Sequence, residues 1–101
     1  MSRYAVYVLP EEFRRIKRLP GNVRQRIKRA IDDLAEDPRP TQSKKLDVAD
    51  LEGPGRDVRR VRVDSWRIVY LVSDDEMAVD VVAVRKRPPY DYGDLAVLLG
   101  K

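Results

Sequence analysis

One stretch near the middle of the chain, residues 59–72, constrains the fold more than any other. It reads Arg-Arg-Val-Arg-Val-Asp-Ser-Trp-Arg-Ile-Val-Tyr-Leu-Val, and its first half alternates arginine with valine. Side chains of a strand point to opposite faces at every second residue, so this alternation predicts a strand with one apolar and one basic face. Asp64-Ser65 is typical of a tight turn, and the β-branched and aromatic residues after it predict a second strand. We therefore expect a β-hairpin whose basic face carries Arg60, Arg62 and Arg67.

The basic face of this hairpin has two interpretations. Guanidinium groups on one sheet face repel one another unless an anion binds between them. The arginines could therefore belong to a solvated strand face, where they provide solubility. The alternative is a phosphate-binding surface, because arginine is always charged and matches the geometry of phosphate with paired donors. Trp66, at the start of the second strand, is expected to be an anchor of the core.

The composition limits the class of protein and the chemistry available to it. A length of 101 residues suits one small domain, and we expect residues 1–101 to form it. Charged residues make up 38% of the chain and the net charge is +4, which favours an anionic partner such as nucleic acid or an acidic protein. The chain has neither cysteine nor histidine, which excludes thiolate and imidazole chemistry, and we expect no metal and no cofactor. No apolar run could span a membrane and no signal peptide is visible, so we expect a cytoplasmic protein.

The residues before the hairpin predict one strand and two helices. Tyr4–Val8 has the composition of a short strand, and Pro10 followed by two acidic residues is typical of a helix start. Phe13, Ile16 and Leu19 then form an apolar stripe at helical spacing. A second helix follows Pro20-Gly21-Asn22, and its stripe consists of Val23, Ile27, Ala30, Ile31 and Leu34.

The remaining segments complete the predicted architecture. Thr41–Leu46 can form a short strand that carries Lys44 and Lys45, and Met77–Val84 is apolar enough to be a central strand. A last short helix is expected to start at Asp91 or Asp94. The predicted fold class is α+β in the order β-α-α-β-β-β-β-α, with a small antiparallel sheet covered on one face by the helical hairpin. The opposite face of the sheet would then carry the arginines.

Four segments together resemble the RelE/ParE toxin superfamily of type II toxin–antitoxin systems, in particular its RelE-like branch. They are Leu-Pro-Gly-Asn-Val-Arg at the start of the long helix, Asp-Pro-Arg-Pro after it, Arg-Val-Arg-Val-Asp-Ser-Trp-Arg-Ile-Val-Tyr in the sheet, and Val-Arg-Lys-Arg-Pro-Pro-Tyr near the end. The resemblance implies a toxin that is neutralised by a cognate antitoxin protein. RelE-like members are ribosome-dependent endonucleases that cleave mRNA, whereas ParE-like members inhibit DNA gyrase by binding it. Both activities remain open at this point.

The resemblance also implies roles for particular residues. The catalytic residues would be Arg60, Arg62, Arg67, Arg87 and Tyr90. The residues that contact RNA would be Lys44, Lys45, Arg85, Lys86 and Tyr92. This sequence departs from the RelE-like pattern because the strand pair is Arg60 and Arg62 where lysines are common, and arginine does not readily give up a proton. Pro88-Pro89 is a second departure, and either Tyr90 or Tyr92 could be the functional tyrosine.

Overall fold

The β-hairpin predicted from the arginine–valine alternation is the centre of the observed sheet. The computed structural model describes residues 3–46 and 56–86 of the chain. Strands β3 (Arg56–Val63) and β4 (Trp66–Ser73) pair in antiparallel fashion, with Val63 opposite Trp66. Asp64 in the turn has φ of 54°, a left-handed conformation that a short polar side chain tolerates better than most. The prediction of the hairpin and of its turn is confirmed.

Two helices and three further strands surround this hairpin. Among the described residues the elements are β1 (Ala5–Val8), α1 (Pro10–Lys17), α2 (Gly21–Asp33), β2 (Lys44–Lys45), β3, β4 and β5 (Ala78–Lys86). The strands form one sheet in the order β1-β5-β4-β3-β2. The α+β class and the order of these elements are confirmed. The sheet differs from the prediction in being mixed, because β1 runs parallel to β5 while the other pairs are antiparallel. The predicted last helix lies outside the described residues.

The helices cover one face of the sheet, which we call the helix face. Its core consists of Ile16, Ile27, Ile31 and Leu34 from the helical segment and Val61, Ile68, Tyr70, Val72, Val79, Val81 and Val84 from the sheet. Trp66 packs against this cluster, as expected of a core anchor. The predicted stripe of α1 is wrong at Phe13, whose residue is 49% exposed. Glu12 and Ile16, four residues apart, take the inward positions of this short helix, and Phe13 lies about 100° around the axis from Glu12.

The opposite face of the sheet is divided along the strands. Its apolar part contains the buried residues Val58, Val69, Leu71, Val82 and Ala83, with Leu9 and Leu46 packed against them. Arginines occupy the part nearest the β3–β4 turn. Arg67 alternates with Ile68 and therefore points away from the helix face, as the sequence predicted.

A β-bulge in β5 changes which of its side chains reach this opposite face. Tyr70 of β4 pairs with Val81, but the preceding Val69 pairs with Ala83, so Val82 is an extra residue in β5. Val82 and Ala83 both pack on the opposite face, and Val84 returns to the helix face. Arg85 consequently lies on the opposite face beside Arg67, whereas regular alternation from Val81 would have placed it under the helices.

Polar contacts fix the loop that follows α2 against the edge of the helix face. The Tyr70 hydroxyl donates a hydrogen bond of 2.8 Å to the carbonyl oxygen of Pro38. Arg39 donates to Asp74 at 3.0 and 3.2 Å and to Asp57 at 3.1 Å. The Arg39 guanidinium, together with the hydroxyl of Tyr4 at 2.7 Å, holds the pKa of Asp74 below its ordinary value. The loop between α2 and β2 is therefore attached to the turn between β4 and β5.

Replacing Tyr70 by phenylalanine tests the buried contact in this loop. The substitution keeps the ring and leaves the carbonyl of Pro38, a buried residue, without its donor, so we expect the free energy of unfolding to fall by about 1 kcal/mol. Burial raises the pKa of Tyr70 above 10.0, so its contribution to stability is complete below pH 10 and is lost as the pH rises through the folded-state pKa.

Urea unfolding at neutral pH and at about pH 11 would measure both effects. Tyr70→Phe should lose less stability between the two pH values than the wild type does. Some loss should remain, because a hydrogen bond to Asp74 also raises the pKa of Tyr4. An equal alkaline loss in both proteins would show that Tyr70 does not couple folding to pH.

Candidate functional site

Four arginines lie together on the opposite face of the sheet, and we call them the arginine cluster: Arg60, Arg62, Arg67 and Arg85. Arg62 of β3 is directly opposite Arg67 of β4, and Arg67 is directly opposite Arg85 of β5. Paired residues of antiparallel strands have Cα atoms about 4.5–5.5 Å apart, so these three form one row across the sheet. Arg60 lies two residues before Arg62 on the same face, and Lys44 of β2 pairs with it.

Two members of the arginine cluster are buried, which neither interpretation of the sequence anticipated. Arg60 is 7% exposed and Arg67 is 5% exposed, while Arg62 is exposed and Arg85 is half-buried. Within the described part of the chain, the Arg60 side chain makes no hydrogen bond or ion pair. Withdrawing a cation from water costs several kcal/mol unless another charge compensates it. The cluster is therefore a site of concentrated positive charge that an anion would stabilise.

One acidic side chain reaches this site from the helical side of the molecule. Glu12 of α1 is 1% exposed, and its Oε1 atom accepts hydrogen bonds from the Val84 amide at 3.0 Å and from Arg85 Nη1 at 2.9 Å. Arg15 lies 3.4 Å from the same oxygen. Sequence reasoning missed Glu12 and treated it as an acid that favours the helix dipole. The available signal was its spacing, since a residue four before Ile16 shares the buried stripe of the helix.

The other predicted site residues are distributed more widely than the sequence suggested. Lys44 lies on the face of the arginine cluster, but Lys45 pairs with Arg59, whose side chain contacts Ser43 on the helix side. Lys86 follows Arg85 in β5 and alternates to the helix side, opposite Trp66. Lys45 and Lys86 are therefore separated from the cluster by the sheet. The predicted residues Arg87, Tyr90 and Tyr92 lie outside the described residues.

A second feature lies on the far side of the sheet, in the groove between α1 and α2. The groove has a volume of about 600 Å³ and is lined by Val8, Phe13, Ile16, Lys17, Arg24, Gln25, Lys28, Ile31 and Asp32. The exposed ring of Phe13 lies in it, with Lys17 Nζ 4.8 Å from the ring centroid. An apolar floor with three cations and one acid at its rim suits an amphipathic segment that carries negative charge.

The chemistry of the arginine cluster follows from its residue types. Guanidinium groups bind phosphate oxygens with several donors at once and stabilise negative charge that develops on them. They do not accept protons at neutral pH. Over residues 3–46 and 56–86, no group of acidic side chains is arranged to hold a metal ion, and neither helix is long and apolar enough to cross a membrane. The cluster can therefore hold and polarise a phosphodiester, and a proton acceptor must come from elsewhere.

Comparison with solved structures shows which fold this is. The RelE–RelB complex of the archaeon Pyrococcus horikoshii matches with a TM-score of 0.76 at 20% identity, covering 87% of this chain and 99% of that one. The RelBE2 toxin–antitoxin complex of Mycobacterium tuberculosis matches at 0.69 and 23% identity, covering 86% and 94%. A doubly substituted E. coli RelE toxin in the free state matches at 0.68 and 24% identity, covering 94% and 95%. The chain has the fold of RelE toxins.

The sequence comparisons define the family. A search of curated proteins finds no match. The family model described as "ParE toxin of type II toxin-antitoxin system, parDE" matches residues 9–88, which is most of the chain. Fold and sequence together define a type II toxin of the RelE/ParE superfamily. Within that superfamily, the chain belongs to the ParE toxin family.

Replacing Arg60 by methionine tests whether the arginine cluster is an anion site. Methionine keeps much of the buried volume and removes the charge, so we expect unfolding to become about 1 kcal/mol less favourable in chloride buffer. Phosphate at constant ionic strength should raise the melting temperature of the wild type, because a ligand that binds only the folded state stabilises it. The rise should be at least halved in the variant.

Differential scanning fluorimetry provides the measurement, and Arg29→Met, on the exposed surface of α2, is the matched control. The control should respond to phosphate as the wild type does. An Arg60→Met protein that is markedly less stable and responds fully to phosphate would show that Arg60 serves packing only.

Proposed function

We propose that this toxin is a ribosome-dependent endonuclease that cleaves mRNA in the cytoplasm. The observation that carries the proposal is the burial of Arg60, whose side chain has no hydrogen bond or ion pair among the described residues, next to the row of Arg62, Arg67 and Arg85. A toxin that acted only as a protein ligand would not need to gather and partly bury four cations on one sheet face. An RNA phosphate supplies the compensating charge.

The proposed reaction is a transesterification within the RNA. The 2′-hydroxyl oxygen of one nucleotide attacks the adjacent phosphorus, and the bond from phosphorus to the 5′-oxygen of the next nucleotide breaks. A proton leaves the 2′-hydroxyl and another is delivered to the 5′-oxygen, so the products are a 2′,3′-cyclic phosphate and a 5′-hydroxyl. Negative charge grows on the phosphate oxygens in the transition state, and positioned cations stabilise it most when water is excluded.

The residues of the cluster divide these tasks by their positions. Arg67 is central in the row and buried, so it would hold the scissile phosphate, with Arg60 and Arg62 beside it for substrate positioning and charge stabilisation. Arg87 would stabilise the leaving oxygen. The proton transfers need a group other than arginine, and nearby cations lower the pKa of a tyrosine toward that role. Tyr90, or otherwise Tyr92, is the candidate.

A cognate antitoxin would bind the groove between α1 and α2. The P. horikoshii and M. tuberculosis relatives were crystallised as complexes of toxin and antitoxin. In this chain the groove combines exposed Phe13 with the rim cations Lys17, Arg24 and Lys28. The antitoxin segment that fits it is an amphipathic helix with acidic residues beside its apolar stripe.

The second candidate function is inhibition of DNA gyrase by binding. The match to the ParE family model over residues 9–88 favours it, as does the presence of arginine at the positions where RelE-like enzymes often have lysine. On this alternative the cluster would bind an acidic protein surface or DNA, and no RNA bond would break.

The two functions differ in what they damage. Mapping transcript 5′ ends after a pulse of expression would reveal cuts within translated codons for the nuclease. Intact transcripts with DNA damage would support gyrase inhibition.

Arg67→Met tests the catalytic assignment. Because Arg67 is 5% exposed, truncation to alanine would open a cavity, whereas methionine retains most of the volume. Losing one positioned charge donor should lower the cleavage rate about 10²–10³-fold, roughly 3–4 kcal/mol of transition-state stabilisation. Cleavage of mRNA on programmed ribosomes is the measurement, and Arg29→Met controls for the loss of one positive charge. A fully active and folded Arg67→Met protein would remove Arg67 from the mechanism.

Phe13→Asp tests the antitoxin groove. The substitution removes the apolar contact of Phe13 and adds a negative charge that repels an acidic partner. We expect antitoxin affinity to fall at least about 30-fold, the effect of losing a hot-spot residue. Toxicity without antitoxin should be unchanged. Tyr7→Asp is the matched control, because Tyr7 is 59% exposed on β1 and is absent from the groove lining. Titration calorimetry with the purified antitoxin gives the affinities. If only Tyr7→Asp weakens the complex, the antitoxin binds elsewhere.

A further inference from the structure

Glu12 has a position that the proposed chemistry leaves unexplained. It is a helix residue, yet its carboxylate is buried at the sheet edge and contacts the end of β5 next to the arginine row. The reason for a polar group there is clear from the topology. Strand β1 ends at Val8, opposite Val81, so within residues 3–46 and 56–86 no strand pairs with the following residues of β5 on that side. The Oε1 atom of Glu12 accepts the hydrogen bond of the Val84 amide that a longer β1 would have accepted.

Capping this amide does not explain why the residue is an acid. A glutamine carbonyl would accept the same hydrogen bond without burying a charge, and buried charges are costly unless a counter-charge is close. The counter-charge here is Arg85, whose Nη1 atom lies 2.9 Å from the same oxygen and also donates to the carbonyl of Val84 at 3.1 Å. Arg15 contributes at 3.4 Å from an exposed side chain. The Oε2 atom is buried and accepts no hydrogen bond among the described residues. This second oxygen therefore contributes to the negative charge of the carboxylate but not to its hydrogen bonding.

We propose that Glu12 is a positioning residue for Arg85, and that it holds this guanidinium in the arginine row so that Arg85 contacts the RNA phosphate. Without the Glu12 carboxylate, repulsion from Arg62 and Arg67 would favour an Arg85 side chain that turns away from the row. Glu12 offsets that repulsion, and the bulge at Val82 places Arg85 on the same face of the sheet as Arg67. The catalytic part of this proposal rests on the proposed nuclease function, but the structural part does not.

The test compares Glu12→Gln with Glu11→Gln, which removes the same charge from an exposed residue in the same helical turn. Glutamine keeps an oxygen for the Val84 amide and loses the attraction for Arg85. On programmed ribosomes, kcat of Glu12→Gln should fall about 10–100-fold without a rise in KM, as expected for a misplaced group. A purely electrostatic role predicts the reverse, since removing an acid beside the cluster should lower KM and leave kcat unchanged. Glu11→Gln should match the wild type.

Arg85→Met provides a second variant in case Glu12→Gln does not fold. Its kcat should fall by at least the same factor, and adding Glu12→Gln to it should cause no further loss, because Glu12 acts through Arg85. Full activity of Arg85→Met, or additive losses in the double variant, would overturn the proposal.

Nitrogen-15 relaxation of the arginine Nε–H groups reports the positioning without any need for activity. The Arg85 order parameter should be near the rigid value of about 0.85 in the wild type and below about 0.6 in Glu12→Gln. An Arg85 that stays ordered in Glu12→Gln would overturn the assignment of Glu12. If the wild-type protein cleaves no mRNA, the proposed nuclease function and the catalytic part of the inference fail together. The order parameter then decides alone whether Glu12 holds Arg85.

Discussion

The register between β3, β4 and β5 is the constraint on which the site depends. The turn at Asp64 and Ser65 places Arg62 opposite Arg67, and the bulge at Val82 places Arg85 on the other side of Arg67. A slip of one residue in either pairing would reverse the faces of that strand and move its arginines into the core beneath the helices. Burial of the apolar helix face therefore determines the register of β3, β4 and β5. That register brings Arg62, Arg67 and Arg85 together.

Electrostatic repulsion within the arginine cluster is the cost of this arrangement. Two of its members are buried, and Glu12 is an acid in contact with the cluster, pairing with Arg85 at 2.9 Å. A concentration of like charge on one surface commonly marks the place of a ligand of opposite charge. A phosphodiester fits this role, because its charge and its geometry both match guanidinium groups. The acidic character proposed for the antitoxin has a separate origin, in the cations Lys17, Arg24 and Lys28 at the rim of the groove between α1 and α2.

Local patterns predicted those parts of the fold that local rules decide. The alternation of Arg60, Val61, Arg62 and Val63 indicated both strand and face, because period two is a property of any strand. The sequence did not show that Arg60 and Arg67 are buried, since burial depends on what packs over the face. It could not show the bulge, because the apolar run from Val81 to Val84 fits either face at every position. Glu12 was missed because β1 is short, and only the tertiary fold shows that the end of β5 extends past β1 in the described part of the chain.

The proposed endonuclease promotes attack of an RNA 2′-hydroxyl on its neighbouring phosphate. The most direct test uses an mRNA with a single 2′-deoxy nucleotide placed immediately 5′ of the cleaved bond, presented on programmed ribosomes. We expect the unmodified mRNA to give 2′,3′-cyclic phosphate and 5′-hydroxyl ends, and the deoxy substitution to abolish cleavage at that bond alone. Cleavage of the deoxy substrate, products with a 5′-phosphate, or an uncut natural mRNA would contradict this mechanism.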